Sequence, residues 1–145
     1  MNASCEVGER SGRIVVGVDG SEASVTALRG GIRLANALNA SVEAITTWRP
    51  TTAHATADEF GYTPEDDARS ILSGAAKSAF GPQVPQWFTS RTIEGSADLV
   101  LVDQSKGAEM LVVGSRGHGG LEGALLGSVS AECAENAHCP VLIVH

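Results

Sequence analysis

Two hydrophobic periods alternate along this chain. Residues 13 to 18, RIVVGV, form a short apolar, β-branched run that predicts a buried strand, and DGSEAS follows at once as a turn and helix start. Ser21 is placed to cap that helix, and Glu22 falls in its first turn, where the aligned peptide dipoles favour a carboxylate. Leu28, Ile32, Ala35 and Leu38 then recur at near-helical spacing. Residues 41 to 48, SVEAITTW, read as a second strand. Residues 49 to 62 have neither period and form a long connection.

The next segment has the clearest helical stripe. Thr63 is the predicted cap, Pro64 the first helical residue, and Glu65, Asp66 and Asp67 load the first turn with negative charge. Ala68, Ile71, Leu72, Ala75, Ala76 and Ala79 then share one face, and Gly81 and Pro82 end the run. Residues 86 to 93, QWFTSRTI, mix apolar and polar positions as an edge strand does. Ser96 opens a third helix that ends near Gly107, and MLVVGS is a fourth, buried strand. A glycine-rich stretch, a helix through Val129, Cys133 and Ala137, and the strand VLIVH complete the order.

Strands alternating with helices imply an α/β sandwich: a five-stranded, largely parallel sheet with helices on both faces. Ligands bind such sheets outside the carboxyl ends of the strands, where neighbouring connections leave in opposite directions. The two most apolar of the first four strands run into Asp19 and Gly20 and into Arg116 and Gly117. If these strands are neighbours, their loops share one crevice.

Composition narrows what that crevice can hold. A chain of 145 residues at 43% apolar content suits one domain, expected over residues 12–145 behind a flexible tail of residues 1–11. The N-terminal residues are polar and acidic, unlike a signal peptide, and no run reaches the 18 or so apolar residues of a membrane span, so a cytoplasmic chain is expected. A net charge of -7 argues against nucleic-acid and membrane-surface partners. The only lysines are Lys77 and Lys106, so a phosphate-bearing ligand must be held by a local device such as backbone amides. Cys5, Cys133 and Cys139 form no C-x-x-C pair and predict neither a disulfide framework nor a zinc site.

The stretch GSRGHGGLEGALLGSVS, residues 114 to 130, holds six glycines. It matches neither the G-x-x-x-x-G-K-[ST] loop nor G-x-G-x-x-G in register after the strand. It does contain Gly114-x2-Gly117-x9-Gly127-Ser128, with a tight turn after a strand and a helix start at the second pair. A helix N-terminus offers unpaired N–H groups, Ser128 and Ser130 carry hydroxyls, and Arg116 adds a forked charge: together, an anion cradle. Glycines in these places are also plain turn punctuation, and spacing alone does not separate the two readings.

That glycine pattern, preceded by MLVVGSRG, followed by CPVLIVH and joined to VVGVDGSEAS at the front, resembles the universal stress protein family over roughly residues 12–145. The resemblance implies strand order 3-2-1-4-5, homodimers, and the ATP-binding branch that keeps the glycine pattern. It assigns Val18 and Asp19 to the ribose and adenine, and Thr47 to the strand backbone that reads the adenine edge. Val113, Gly114, Arg116 and Gly117 would pass the ribose and phosphates, and Gly127, Ser128, Val129 and Ser130 would hold the phosphate chain. Gly17 stands where some ATP-binding members have proline. The implied ligand is ATP, with magnesium as its companion.

The remaining polar candidates have blander readings. Asp19 also suits a helix-entry turn, His118 a solvated loop, and Glu59, Glu65, Asp66 and Asp67 a solvated loop and helix start. Cys133 and Cys139 flank His138 without a fourth zinc ligand. The favoured function is a nucleotide-binding regulatory stress-response protein. The alternative is a slow ATPase or phosphotransferase using Asp19 and a divalent metal, and a ligand-free dimerisation module follows if the glycines are only turns. The uncharged strand Val141 to Val144, at an edge in the implied order, is the expected homodimer contact.

Overall fold

The computed structural model describes residues 10–50, 63–116 and 126–145. Five strands, β1 (Arg13–Gly17), β2 (Ser41–Trp48), β3 (Phe88–Glu94), β4 (Met110–Gly114) and β5 (Val141–Val144), form one sheet of order β3-β2-β1-β4-β5. Every pairing is parallel. Among the described residues four helices intervene: α1 (Glu22–Leu38), α2 (Pro64–Phe80), α3 (Ala97–Gln104) and α4 (Ser128–Asn136). The predicted fold class and strand order are therefore those observed, with QWFTSRTI supplying the edge strand β3.

Local chemistry sets the helix ends. Ser21 caps α1 by accepting the Ser24 N–H at 3.2 Å, and the helix closes at Asn39, whose φ of 56° is left-handed. At α2 the Thr63 hydroxyl accepts the Asp66 N–H at 3.1 Å while the Asp66 carboxylate accepts the Thr63 N–H at 3.2 Å, a reciprocal capping box. The third helix is shorter than expected, stopping at Gln104. There the Ser105 hydroxyl turns back onto the Val102 carbonyl at 2.6 Å.

Alternation along the strands splits the core in two. Ile14 and Val16 of β1, Val42 and Ala44 of β2 and Val112 of β4 meet Leu28, Ala35, Leu72 and Ala76 of α1 and α2 on one face. Val15, Ile45, Leu111 and Val113 meet Leu101 of α3 and Cys133 of α4 on the other. Gly31 allows α1 close to the sheet, since a Cβ there would lie 2.7 Å from Val16 Cγ2. Leu38, predicted on the buried stripe of α1, is 50% exposed, because it is the helix's last residue and lies beyond the sheet's cover.

Just ahead of β1, Arg10 and Ser11 are held to the domain. Ser11 N–H donates to the Asn39 carbonyl at 3.1 Å. The Arg10 guanidinium donates to the Ala40 carbonyl at 3.0 Å and lies 3.9 Å over the Trp87 ring. At the same end of the sheet Glu43 receives Arg13 at 2.7 Å and Arg91 at 3.1 Å, and Arg13 also donates to the carbonyls of Gln104 at the end of α3 and of Lys106 beyond it. One carboxylate thus links β1, β2 and β3.

Candidate functional site

β1 and β4 are adjacent, pairing Val16 with Val112, while β1 continues through α1 to β2 on one side and β4 continues through α4 to β5 on the other. The carboxyl ends of β1 and β4 therefore flank the point where strand order reverses, where such sheets hold ligands. Val18 and Asp19, Thr47, and Val113, Gly114 and Arg116 all lie at or just beyond carboxyl ends, and Gly127 to Ser130 open α4.

At the end of β1, Val18 is buried and its N–H donates to the Ile45 carbonyl at 2.9 Å. Asp19 then ties the turn. Its carboxylate accepts the Ser21 N–H at 2.9 Å and its own N–H donates to the Ser24 hydroxyl at 3.2 Å, across Gly20, whose φ of 88° disfavours any side chain. Asp19 thus serves the helix-entry turn and stands at the crevice as well.

At the end of β2 the ladder's alternation decides what is presented. Ile45 turns its carbonyl to β1, receiving Val18 N–H, and Trp48 turns its carbonyl to β3, receiving Gly95 N–H at 2.9 Å. A strand's backbone groups alternate sides, so the N–H and C=O of Thr47 point to the β1 side, beyond the last β1 residue. The preceding residue, Thr46, is 3% exposed and donates its hydroxyl to the Val18 carbonyl at 2.7 Å.

The end of β4 meets two helices. A Cβ on Gly114 would lie 2.9 Å from the backbone of Ala23, so this glycine is needed for the approach of β4 to the first turn of α1. Val113 is buried in the opposite half-core, and Arg116 is exposed. Ser115, whose packing role the sequence did not indicate, is a buried junction. Its N–H donates to the Val144 carbonyl at 2.8 Å, and its carbonyl accepts the Gly127 N–H at 2.6 Å and the Ser130 hydroxyl at 3.0 Å. The two ends of the glycine stretch are thereby pinned together. Gly117 and His118 lie outside the described residues, as does Glu59.

Gly127 caps α4 in extended conformation and brings no side-chain hydrogen bond to its N-terminus. The first helical bond is Ala131 N–H to the Gly127 carbonyl at 3.0 Å, which leaves the amides of Ser128, Val129 and Ser130 ahead of it at the positive end of the helix. Among these, Ser128 is exposed, the Val129 side chain packs into the core, and the Ser130 hydroxyl is engaged by backbone carbonyls. The contribution of Val129 and Ser130 to a ligand is therefore through their amides.

Other candidates fall away from this crevice. Glu65 and Asp66 pair with Arg69 at 3.0 and 3.4 Å on the exposed start of α2. Burial, aided by Asp98 and Glu132, pushes the Cys133 thiol up to about 11, and burial also raises Cys139, so both are poor nucleophiles. Among the described residues no group of three or more His, Cys, Asp or Glu side chains is arranged to hold a metal, and no helix is long and apolar enough to cross a membrane.

The profile of the universal stress protein family matches residues 11–145. The chain belongs to that family. It is 35% identical over 132 residues to universal stress protein Rv2624c of Mycobacterium tuberculosis, a match covering 90% of this chain and 47% of the relative. Rv2623 of the same organism is 34% identical over 149 residues, covering 95% of this chain and 49% of the relative. The chain thus spans about half the length of the curated relatives it matches. Among solved structures it resembles a universal stress protein in complex with cAMP, with a TM-score of 0.67, 29% identity, and coverage of 94% of this chain and 99% of the other. UspA from Lactobacillus plantarum shares the fold with a TM-score of 0.75 at 18% identity, covering 94% and 99%.

Proposed function

We propose that this universal stress protein binds an adenine nucleotide, ATP with magnesium, in the crevice between the β1 and β4 ends, and that occupancy regulates a cytoplasmic homodimer in a stress response. The observation that carries the reading is the bare N-terminus of α4, braced through Ser115 to the end of β4. Three amides at a helix start, on a chain of net charge -7, are the local anion device that a phosphate chain requires. Thr47's outward N–H and C=O suit a base edge, and Val18 and Asp19 stand where a ribose would lie between base and phosphates. The similarity to a protein solved with cAMP supports the same ligand class. ATP supplies a triphosphate whose charge magnesium shares, and the described residues add Arg116 and amides to that neutralisation.

Dimerisation is assigned to β5. It is an edge strand of four uncharged apolar residues, each partly exposed, and pairing with the same strand of a second subunit would satisfy its free backbone side.

A ligand of about 30 heavy atoms at roughly 0.3 kcal/mol per atom reaches about 9 kcal/mol, hence micromolar affinity or tighter. At about a hundredfold over its dissociation constant it adds roughly 2.7 kcal/mol of stability, several degrees in Tm. Calorimetric titration and melting with ATP and magnesium test this directly. Gly127→Val should abolish the shift by blocking approach to the amides, and the absence of heat at millimolar ATP with the wild-type protein would refute the reading.

A further inference from the structure

We propose that Thr46 is a positioning residue that keeps the Thr47 backbone available to a 6-aminopurine edge and thereby sets base selectivity. The inference rests on the nucleotide reading above. In a parallel ladder the rung after Val18 N–H to Ile45 C=O is Thr47 N–H to Val18 C=O. At that acceptor stands the Thr46 hydroxyl, at 2.7 Å. Thr46 itself is 3% exposed, so this hydroxyl is not a ligand group. Its effect is to satisfy the Val18 carbonyl from within β2, so that β1 can turn away into Asp19 without drawing the Thr47 amide after it.

The chemistry that follows is specific. Thr47 presents a donor and an acceptor on one side, beyond the end of β1. A 6-aminopurine offers a ring-nitrogen acceptor beside an amino donor and pairs with both. A 6-oxopurine offers a ring N–H beside a carbonyl, so the same pose sets donor against donor and acceptor against acceptor. Without the Thr46 hydroxyl, the Val18 carbonyl takes the Thr47 N–H, the ladder closes by one rung, and the base edge loses its donor while the phosphate end is untouched.

The test uses Thr46→Val, of similar volume but without the hydroxyl, and Thr46→Ser, which keeps it. ATP and GTP are titrated calorimetrically into the wild type and both variants, and Thr47 amide hydrogen exchange is followed by NMR in the nucleotide-free proteins. Expected in wild type are at least tenfold tighter binding of ATP than GTP and an unprotected Thr47 amide. Thr46→Val should bring ATP affinity to within about threefold of GTP, leave GTP affinity unchanged, and protect the Thr47 amide, while Thr46→Ser behaves as wild type. If Thr46→Val keeps the ATP preference, loses both nucleotides equally, or leaves Thr47 exchange unchanged, the inference falls while the nucleotide site stands. Failure of the wild type to bind either nucleotide overturns the nucleotide reading, and this inference with it.

Discussion

Removing the Ser130 hydroxyl probes the junction that links β4 to the start of α4. Ser130 is 2% exposed and its hydroxyl sits 3.0 Å from the Ser115 carbonyl and 3.1 Å from the Gly127 carbonyl. In Ser130→Ala neither carbonyl is orphaned, because Ser115 keeps the Gly127 N–H at 2.6 Å and Gly127 keeps the Ala131 N–H at 3.0 Å. The cost is therefore that of a buried hydrogen bond and not of an unsatisfied group, about 1–1.5 kcal/mol. In a chain of this size each kcal/mol moves Tm by roughly 2–4 °C, so a fall of about 2–6 °C is expected. Scanning calorimetry of Ser130→Ala beside Ser128→Ala reads it, since the exposed Ser128 should change stability by no more than about 0.5 kcal/mol. A loose junction also misplaces the α4 amides, so the stabilisation by ATP should shrink in Ser130→Ala. If Ser130→Ala melts within 1 °C or so of wild type, or no lower than Ser128→Ala, the junction does not hold α4 as argued.

Gly114→Ala should destabilise by about 1–3 kcal/mol, seen in urea unfolding, because its Cβ would meet the Ala23 backbone at 2.9 Å. Glu43→Gln should cost about 1–2 kcal/mol, between an exposed and a buried pair, because it breaks bridges to Arg13 and Arg91 at once; the loss should shrink at high salt. Folding holds the Cys133 thiol at about 11, above the roughly 8.5 of a free thiol, so the unfolded chain ionises first. Stability is intact below that range and falls as pH rises through it, a slope in Tm that Cys133→Ala should lack. If β5 is the contact of the proposed homodimer, replacing Leu142 with lysine should shift the wild-type dimer mass toward that of a monomer in light scattering; a wild type that runs as a monomer, or a dimer that survives the change, overturns the assignment.

Much of this architecture was legible in one dimension because it follows from local rules. The stripe from Ala68 to Ala79, the Thr63 and Ser21 caps and the short β-branched runs depend only on neighbours within a few residues, and they formed as expected. Charge and the scarcity of lysine pointed to backbone amides as a local device for an anion, and the glycine pattern pointed to the helix start where α4 begins. What the chain could not declare is which side a backbone group faces or what a small polar side chain meets across the fold. In the sequence Thr46 looks like an ordinary strand-end residue, and Ser115 and Ser130 like hydroxyls offered to the glycine loop. Thr46 meets the Val18 carbonyl 28 residues away and Ser130 the Ser115 carbonyl 15 residues away, contacts that only the pairing of β1 with β2 and the return of α4 to the end of β4 bring within reach. Gly114 likewise reads as turn punctuation, yet what requires it is the α1 backbone 2.9 Å from where its Cβ would be. Leu38 fails for the same reason in reverse: periodicity marks a face, but only the sheet's extent decides how far that face is covered.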